Sequence, residues 1–269
     1  MAEKFDDLFS IKGKTALVTG GSRGIGEMIA SGFLSQGAKV YISSRKADVC
    51  AATAKRLADA YHGECIALPA DLSQMSGVDS LAQRLSARES RLDILVNNAG
   101  AAWGAPLEQF PEAGWDKVMD TNVKAVFFLT QKLMPLLRQA AGAGSPARVI
   151  NIGSIDGIKT AAFDTFSYGA SKAAVHHLTR FMAAHLTRER ILFNAIAPGP
   201  FPTWMLSTGV GFGGETENAD WASVGKRNPS GRVGTAQDIA GLAIFLCSRA
   251  GEYVVGQTIA CDGGMVAAS

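Results

Sequence analysis

Apolar positions along the chain alternate between short continuous runs and stretches with helical spacing. Thr15-Ala-Leu-Val-Thr19 is a β-type run that stops at a cluster of glycines. Met28, Ile29, Phe33 and Leu34 then recur one helical turn apart until Gly37. Lys39-Val-Tyr-Ile-Ser43 is a second apolar run, so residues 15–43 read as one strand–turn–helix–strand unit. The alternation then repeats. The spacing predicts helices over 48–60, 74–88, 112–141, 168–187 and 235–248, with strands at 64–69, 92–96, 148–152, 191–196 and near 257–261. Gly142–Pro146 breaks the long helix, and residues 200–229 form a loop with four glycines between 209 and 214. Seven strands alternating with helices predict an α/β fold with a doubly wound, seven-stranded parallel sheet. No linker or shift of composition divides it, so residues 1–269 are expected to form a single domain.

Composition narrows the function classes. A net charge of +2 offers no basic field for nucleic acid. Four cysteines without a Cys-x-x-Cys pair, and a single adjacent pair of histidines, argue against structural zinc and fit free thiols in a reducing compartment. The first residues carry charges of both signs and no apolar signal-like core, and no apolar run approaches the ~20 residues that span a bilayer. The expectation is a soluble cytoplasmic protein with no membrane, nucleic-acid or metal partner.

The chemistry starts at Gly20, Gly24 and Gly26. Glycines that follow a first strand and open a first helix allow a tight turn, a close backbone approach to a pyrophosphate and an anion at a helix N-terminus. Ser22, Arg23 and Ile25 lie inside this turn. A ribose-binding carboxylate would be expected at the end of the second strand, but Ser43-Ser44-Arg45-Lys46 stands there instead. Arg45 with Arg23 can clamp a 2′-phosphate, which favours NADP(H) over NAD(H). Further on, Tyr168 and Lys172 are four apart in a helical pattern and share one face. An ammonium held beside a phenol is expected to lower its pKa toward general acid–base use.

Together the motifs resemble the short-chain dehydrogenase/reductase family of single-domain Rossmann enzymes. The likeness rests on Thr19-Gly-Gly-Ser-Arg-Gly-Ile-Gly26, Asp71-Leu72, Asn97-Asn-Ala-Gly100, Asn122, Ser154, Tyr168-x-x-x-Lys172, Pro198-Gly199 and Asp262-Gly-Gly264. It implies cofactor contacts from Asp71 and Leu72 at the adenine, and from Asn98, Ala99 and Gly100 along the ribose. It places Pro198, Gly199 and Thr203 at the nicotinamide, with Thr203 holding the carboxamide. It implies a catalytic tetrad in which Ser154 holds the substrate carbonyl and Tyr168 protonates it. Lys172 would tune the tyrosine and bond the ribose, and Asn122 would hold a water leading from Lys172 to solvent. Ser154 and Tyr168 are 14 apart where many members have 13, a difference that residues 157–165 can absorb.

Substrate-lining candidates are Trp103, Ile155, Asp156, Phe201, Trp204 and Met205, joined by Phe163, Phe166, Phe212 and Trp221. Asp156 either meets the substrate or caps a turn. Within the family the chain is similar to bacterial 3-oxoacyl-[acyl-carrier-protein] reductases of the rhamnolipid-pathway type. That implies a small-molecule or acyl-carrier-bound ketone reduced to a 3-hydroxyacyl product. Other ketones (steroid, quinone or xenobiotic) and a non-catalytic NADPH-binding regulator remain alternatives. The family resemblance also implies a homotetramer, with His176 and His177 at a subunit surface or in the core.

Overall fold

Seven parallel strands form one sheet, with the third and second strands lying to one side of the first and the fourth to seventh following in order on the other. The computed structural model describes residues 5–142, 145–161, 163–208 and 219–268. The strands are β1 (Thr15–Thr19), β2 (Lys39–Ser43), β3 (Cys65–Ala67), β4 (Ile94–Asn97), β5 (Ala147–Ile152), β6 (Ile191–Pro198) and β7 (Thr258–Cys261). The helices are α1 (Gly24–Ser35), α2 (Ala47–Tyr61), α3 (Met75–Ser86), α4 (Glu112–Met119), α5 (Ala125–Gly142), α6 (Phe166–Leu186), α7 (Trp204–Thr208), α8 (Trp221–Lys226) and α9 (Ala236–Cys247).

Helices cover both faces, and for that reason the central strands are continuous apolar runs. Along β1, Ala16 and Val18 enter the core under α1, α2 and α9, while Leu17 points into the opposite core with α3 and α5. Within the first core, Gly32 lets α1 approach α9 closely, since a Cβ there would meet the Ala240 methyl. One polar ladder crosses the second face. Asn97 on β4 donates to Asn151 Oδ1 on β5 at 2.9 Å and to Thr130 on α5 at 3.1 Å, and Asn151 donates to Thr179 on α6 at 2.9 Å. All four side chains are buried and mutually bonded, so the ladder fixes α5 and α6 on the sheet.

The long helix expected over 112–141 is not continuous. A π-helical turn at Asp120–Lys124 separates α4 from α5, and Asn122 sits in it. The chain crosses the sheet in opposite directions on either side of β1 and β4, and the C-terminal ends of these two strands form the crevice where such sheets bind ligands. The loop of residues 200–229 contains α7 and α8. The glycines at 209–214 and Phe212 lie outside the described residues.

Candidate active site

Beyond β1 the chain turns through Gly20 (φ 65°) and Gly24 (φ 56°), a left-handed backbone that glycine adopts without strain. At Gly26 a Cβ would run into the Gly20 carbonyl and the Asn98 amide. Asn98 donates to Thr19 O at 2.8 Å and Gly20 O at 3.2 Å, while Thr19 Oγ1 accepts the Asn98 and Ala99 N–H groups. The β4 end thus braces the glycine turn. Helix α1 opens at Gly24 with an extended Arg23 ahead of it and no side-chain cap, which leaves its first N–H groups suited to an anion. Ser22 is buried, and Ile25 packs against the core.

The hydroxyls of Ser43 and Ser44 are buried at the end of β2 without a hydrogen-bond partner among the described residues. Burial, and then the charge of Arg45, hold the Arg23 guanidinium below its ordinary pKa. Two arginines thus converge beside orphaned hydroxyls. This donor set fits a dinucleotide that carries a 2′-phosphate. The Arg23 guanidinium rests 4.5 Å from the Trp204 ring centroid. Asp71 is exposed and turns Oδ1 onto Ser73, whereas the Leu72 side chain is buried under α3. Leu72 can therefore reach a cofactor only through its backbone. On the far side, β6 ends at Pro198 and Gly199 packs on Asp262. The Thr203 methyl stands 3.2 Å from where a Gly24 Cβ would be, so this segment lies over the glycine turn.

Ser154, Tyr168, Lys172 and Asn122 meet where β5 ends against α6. Ser154 follows β5 in extended backbone and accepts the Asp156 N–H at 3.1 Å. Tyr168 and Lys172 lie one turn apart on α6, with the ammonium 5.4 Å from the phenol ring centroid. Lys172 Nζ donates to Ile152 O at 2.8 Å. A Gly100 Cβ would sit 3.4 Å from Asn122 Oδ1 and 3.8 Å from Lys172 Nζ, so the β4 turn closes over this cluster. Asn122 spends its side chain on structure: Oδ1 accepts Ala101 N–H at 2.8 Å, and Nδ2 donates to Ala101 O at 3.0 Å and Ser171 Oγ at 2.9 Å.

The electrostatics correct one expectation. Tyr168 is not lowered by Lys172; burial pushes it up to about 12, against a downward pull from the Ser154 hydrogen bond. Burial instead acts on the lysine, bringing Lys172 down to about 8. At the lysine, loss of solvent outweighs the opposing charge of Asp156. Asp156 is raised by burial, opposed by Lys159 and Lys172.

Among the lining candidates, Ile155 is buried beside Ser154, Met205 is half-buried, and Trp204 is exposed on Arg23. Trp103 packs on Gly114 with the Lys117 ammonium 5.3 Å from its ring centroid. Phe201 packs inward. It is 2 % exposed and fills a slot against Gly234, where a Cβ would strike its ring. Phe163 and Phe166 are exposed, and Phe166 meets Phe110 edge-on. Sequence reasoning missed Asn151 and Thr179; an asparagine inside the apolar run Arg148-Val-Ile-Asn-Ile152 was the available signal.

Residues 20–266 match the sequence model of a family described as enoyl-(acyl carrier protein) reductase, one branch of the short-chain enzymes. The chain belongs to the short-chain dehydrogenase/reductase family. Membership makes it an oxidoreductase of the C–OH/C=O couple. It is 52% identical over 256 residues to the rhamnolipids biosynthesis 3-oxoacyl-[acyl-carrier-protein] reductase of Pseudomonas aeruginosa, covering 95% of this chain and 97% of the relative. Gluconate 5-dehydrogenase of Gluconobacter oxydans is 36% identical over 262 residues, covering 96% of this chain and 97% of that enzyme. The structure of a P. aeruginosa RhlG/NADP active-site complex superposes with a TM-score of 0.89 at 49% identity, over 97% of this chain and 99% of that one. Among the described residues of this short-chain reductase, no helix is long and apolar enough to cross a membrane.

Proposed function

We propose that this short-chain reductase uses NADPH to reduce the ketone of a 3-oxoacyl thioester, small or carried on an acyl carrier protein, to the 3-hydroxyacyl product. The observation that carries the chemistry is the convergence of Ser154, Tyr168 and Lys172 at the sheet crevice. The 52% identical P. aeruginosa reductase and the NADP complex of RhlG support the substrate class and the cofactor. The orphaned Ser43 and Ser44 hydroxyls and the paired Arg23 and Arg45 would hold the 2′-phosphate. When bound, NADPH supplies the hydride.

Ser154 donates its hydroxyl to the substrate carbonyl, where negative charge grows. Tyr168, held up to about 12, stays protonated at neutral pH and gives its proton to that oxygen. Lys172, brought to about 8, is mostly ammonium at pH 7, keeps positive charge under the phenol and replaces its proton. The Asn122 side chain is committed to Ala101 and Ser171 and so ties the π turn to α6 beneath the proposed acid.

Asp156 favours a second reading. Its half-buried carboxyl lies within electrostatic reach of Tyr168 and Lys172 and would accept from substrate hydroxyls, as a sugar-acid ketone presents. Exposed Phe127 on α5 and Phe181 on α6, the latter stacked on His185, are the faces a second copy would cover in a cytoplasmic homotetramer.

The test is NADPH consumption with 3-oxoacyl thioesters on carrier protein and on coenzyme A, beside 5-keto sugar acids and cyclic ketones. Turnover on the thioesters that disappears in Tyr168→Phe is expected. Turnover confined to the sugar acids would replace the acyl assignment with the second reading. NADPH binding without turnover on any ketone would leave a regulator.

A further inference from the structure

His176 stands one turn beyond Lys172 on α6, on the face that carries Tyr168. It is 4 % exposed, and its Nε2 has no hydrogen-bond partner among the described residues. The imidazole lies under the short segment Gly153–Gly157 that carries Ser154 and Asp156. A Cβ at Gly153 would coincide with the imidazole, and a Cβ at Gly157 would lie 2.8 Å from its Cε1. The Gly157 backbone is also the ring's hydrogen-bonding neighbour. Gly157 is seated equally tightly on α6 itself, 2.6 Å from the Lys172 carbonyl carbon if it bore a Cβ. The same segment is tied to the sheet by Gly153 N–H on Ile196 O at 2.7 Å and closed by Gly157 N–H on Ser154 O at 3.0 Å.

Two glycines on either side of one serine, both occupied by one ring, make a mould. We propose that His176 is a positioning residue that seats the Gly153–Gly157 turn on α6 and so fixes the Ser154 hydroxyl against Tyr168 and the substrate carbonyl. The inference rests on the catalytic reading of Ser154 and Tyr168 given above. Removing the imidazole leaves a ring-sized gap beneath a segment whose flanking glycines impose little backbone restraint, and the turn can then sag into it. Ser154 acts on both substrate and phenol, so loosening it has two consequences. The substrate loses a bond that strengthens toward the transition state, which lowers kcat more than it changes KM. Tyr168 loses the group that pulls its pKa down, leaving burial and the Asp156 charge to raise it. The charged groups facing the imidazole are Lys172 and Arg180, both on α6, and neither changes in the variant.

The experiment is a double-mutant cycle with Ser154→Ala and His176→Ala, read as kcat and KM of ketone reduction. NADPH binding, measured by fluorescence, serves as the check that each variant is folded. His176→Ala alone is expected to lower kcat on the order of tenfold or more while KM changes much less. In the Ser154→Ala background it is expected to add no further loss, and imidazole in the buffer is expected to restore part of the single variant's rate. Independent, multiplying losses, or a loss carried by KM with kcat unchanged, would overturn the proposal. His176→Gln, which keeps most of the volume, carries the same cycle if the alanine variant does not fold. Tyr168→Phe separates the two levels: retained activity there removes the catalytic reading itself, whereas an inactive Tyr168→Phe beside an additive cycle removes only the role of His176.

Discussion

Asn122 donates its side-chain amide to the Ser171 hydroxyl at 2.9 Å, and Ser171 in turn donates to the Tyr168 carbonyl at 2.7 Å. A π turn between two helices is thereby fastened to the helix that carries the proposed acid. Asn122→Ala strips one buried and two part-buried hydrogen bonds and leaves the Ala101 N–H and carbonyl without those partners. A loss of about 2–4 kcal/mol is expected in denaturant unfolding, with a fall in kcat. Ser171→Ala removes two bonds, the one accepted from Asn122 and the one given to the Tyr168 carbonyl, and should cost about 1–2 kcal/mol, less than Asn122→Ala. Equal losses in the two variants would contradict this ranking.

Cofactor choice is expected to reside in the paired arginines. Arg45→Ala removes one charged donor from a site whose Ser43 and Ser44 hydroxyls lack partners among the described residues. Hydrogen bonds to charged groups contribute about 1.5–3 kcal/mol, so KM for NADPH should rise on the order of tenfold to a hundredfold. KM for NADH should barely move. Parallel titrations with the two cofactors decide it; an equal rise in both would place Arg45 outside phosphate recognition.

The rate of ketone reduction is expected to decline as pH rises through about 8. Lys172 carries its charge below that value and loses it above, whereas Tyr168 keeps its proton to about 12. Lys172→Arg remains charged throughout and should lower the rate yet remove the decline near pH 8. A wild-type profile of kcat/KM that is flat from pH 7 to 9 would show that the lysine does not titrate there.

His176 predicts an acid-sensitive fold. Burial and the Lys172 charge hold it at about 4 in the folded chain against an ordinary 6.5. Between these values the unfolded chain binds the proton and the folded chain does not, so stability is lost as pH falls from 6.5 toward 4. The shift corresponds to about 3 kcal/mol. Urea melts at pH 7 and pH 4.5 should therefore show a smaller difference in His176→Gln than in the wild type. The carboxylates common to both proteins cancel in that comparison.

The strand–glycine–helix unit and the strand alternation were legible because a parallel sheet covered on both faces demands continuous apolar runs such as Ala16–Val18 and Val149–Ile150. The π turn at Asn122 was not, since one extra residue in a turn leaves the apolar periodicity on either side intact. Phe201 reads as an apolar residue of the loop 200–229; its packing against Gly234, distant in sequence, shows only in the structure. The direction of the Tyr168 shift was misread for a related reason. Residue spacing shows that a lysine is near, but only packing shows how much water both groups have lost and where the ammonium points.

The fit of one imidazole into the space beside Gly153 and Gly157 also has a genetic consequence. Positions 153 and 176 are expected to behave as one heritable unit: a side chain gained at Gly153 meets only the imidazole and can be compensated by volume lost at 176, whereas one gained at Gly157 also meets the α6 backbone and cannot. In a selection for activity, Gly153→Ala should be lost from a wild-type background and recovered beside a glycine or alanine at 176. A suppressor screen started from Gly153→Ala would then find its second site eight residues past the proposed acid, in a helix that no inspection of the loop itself would single out.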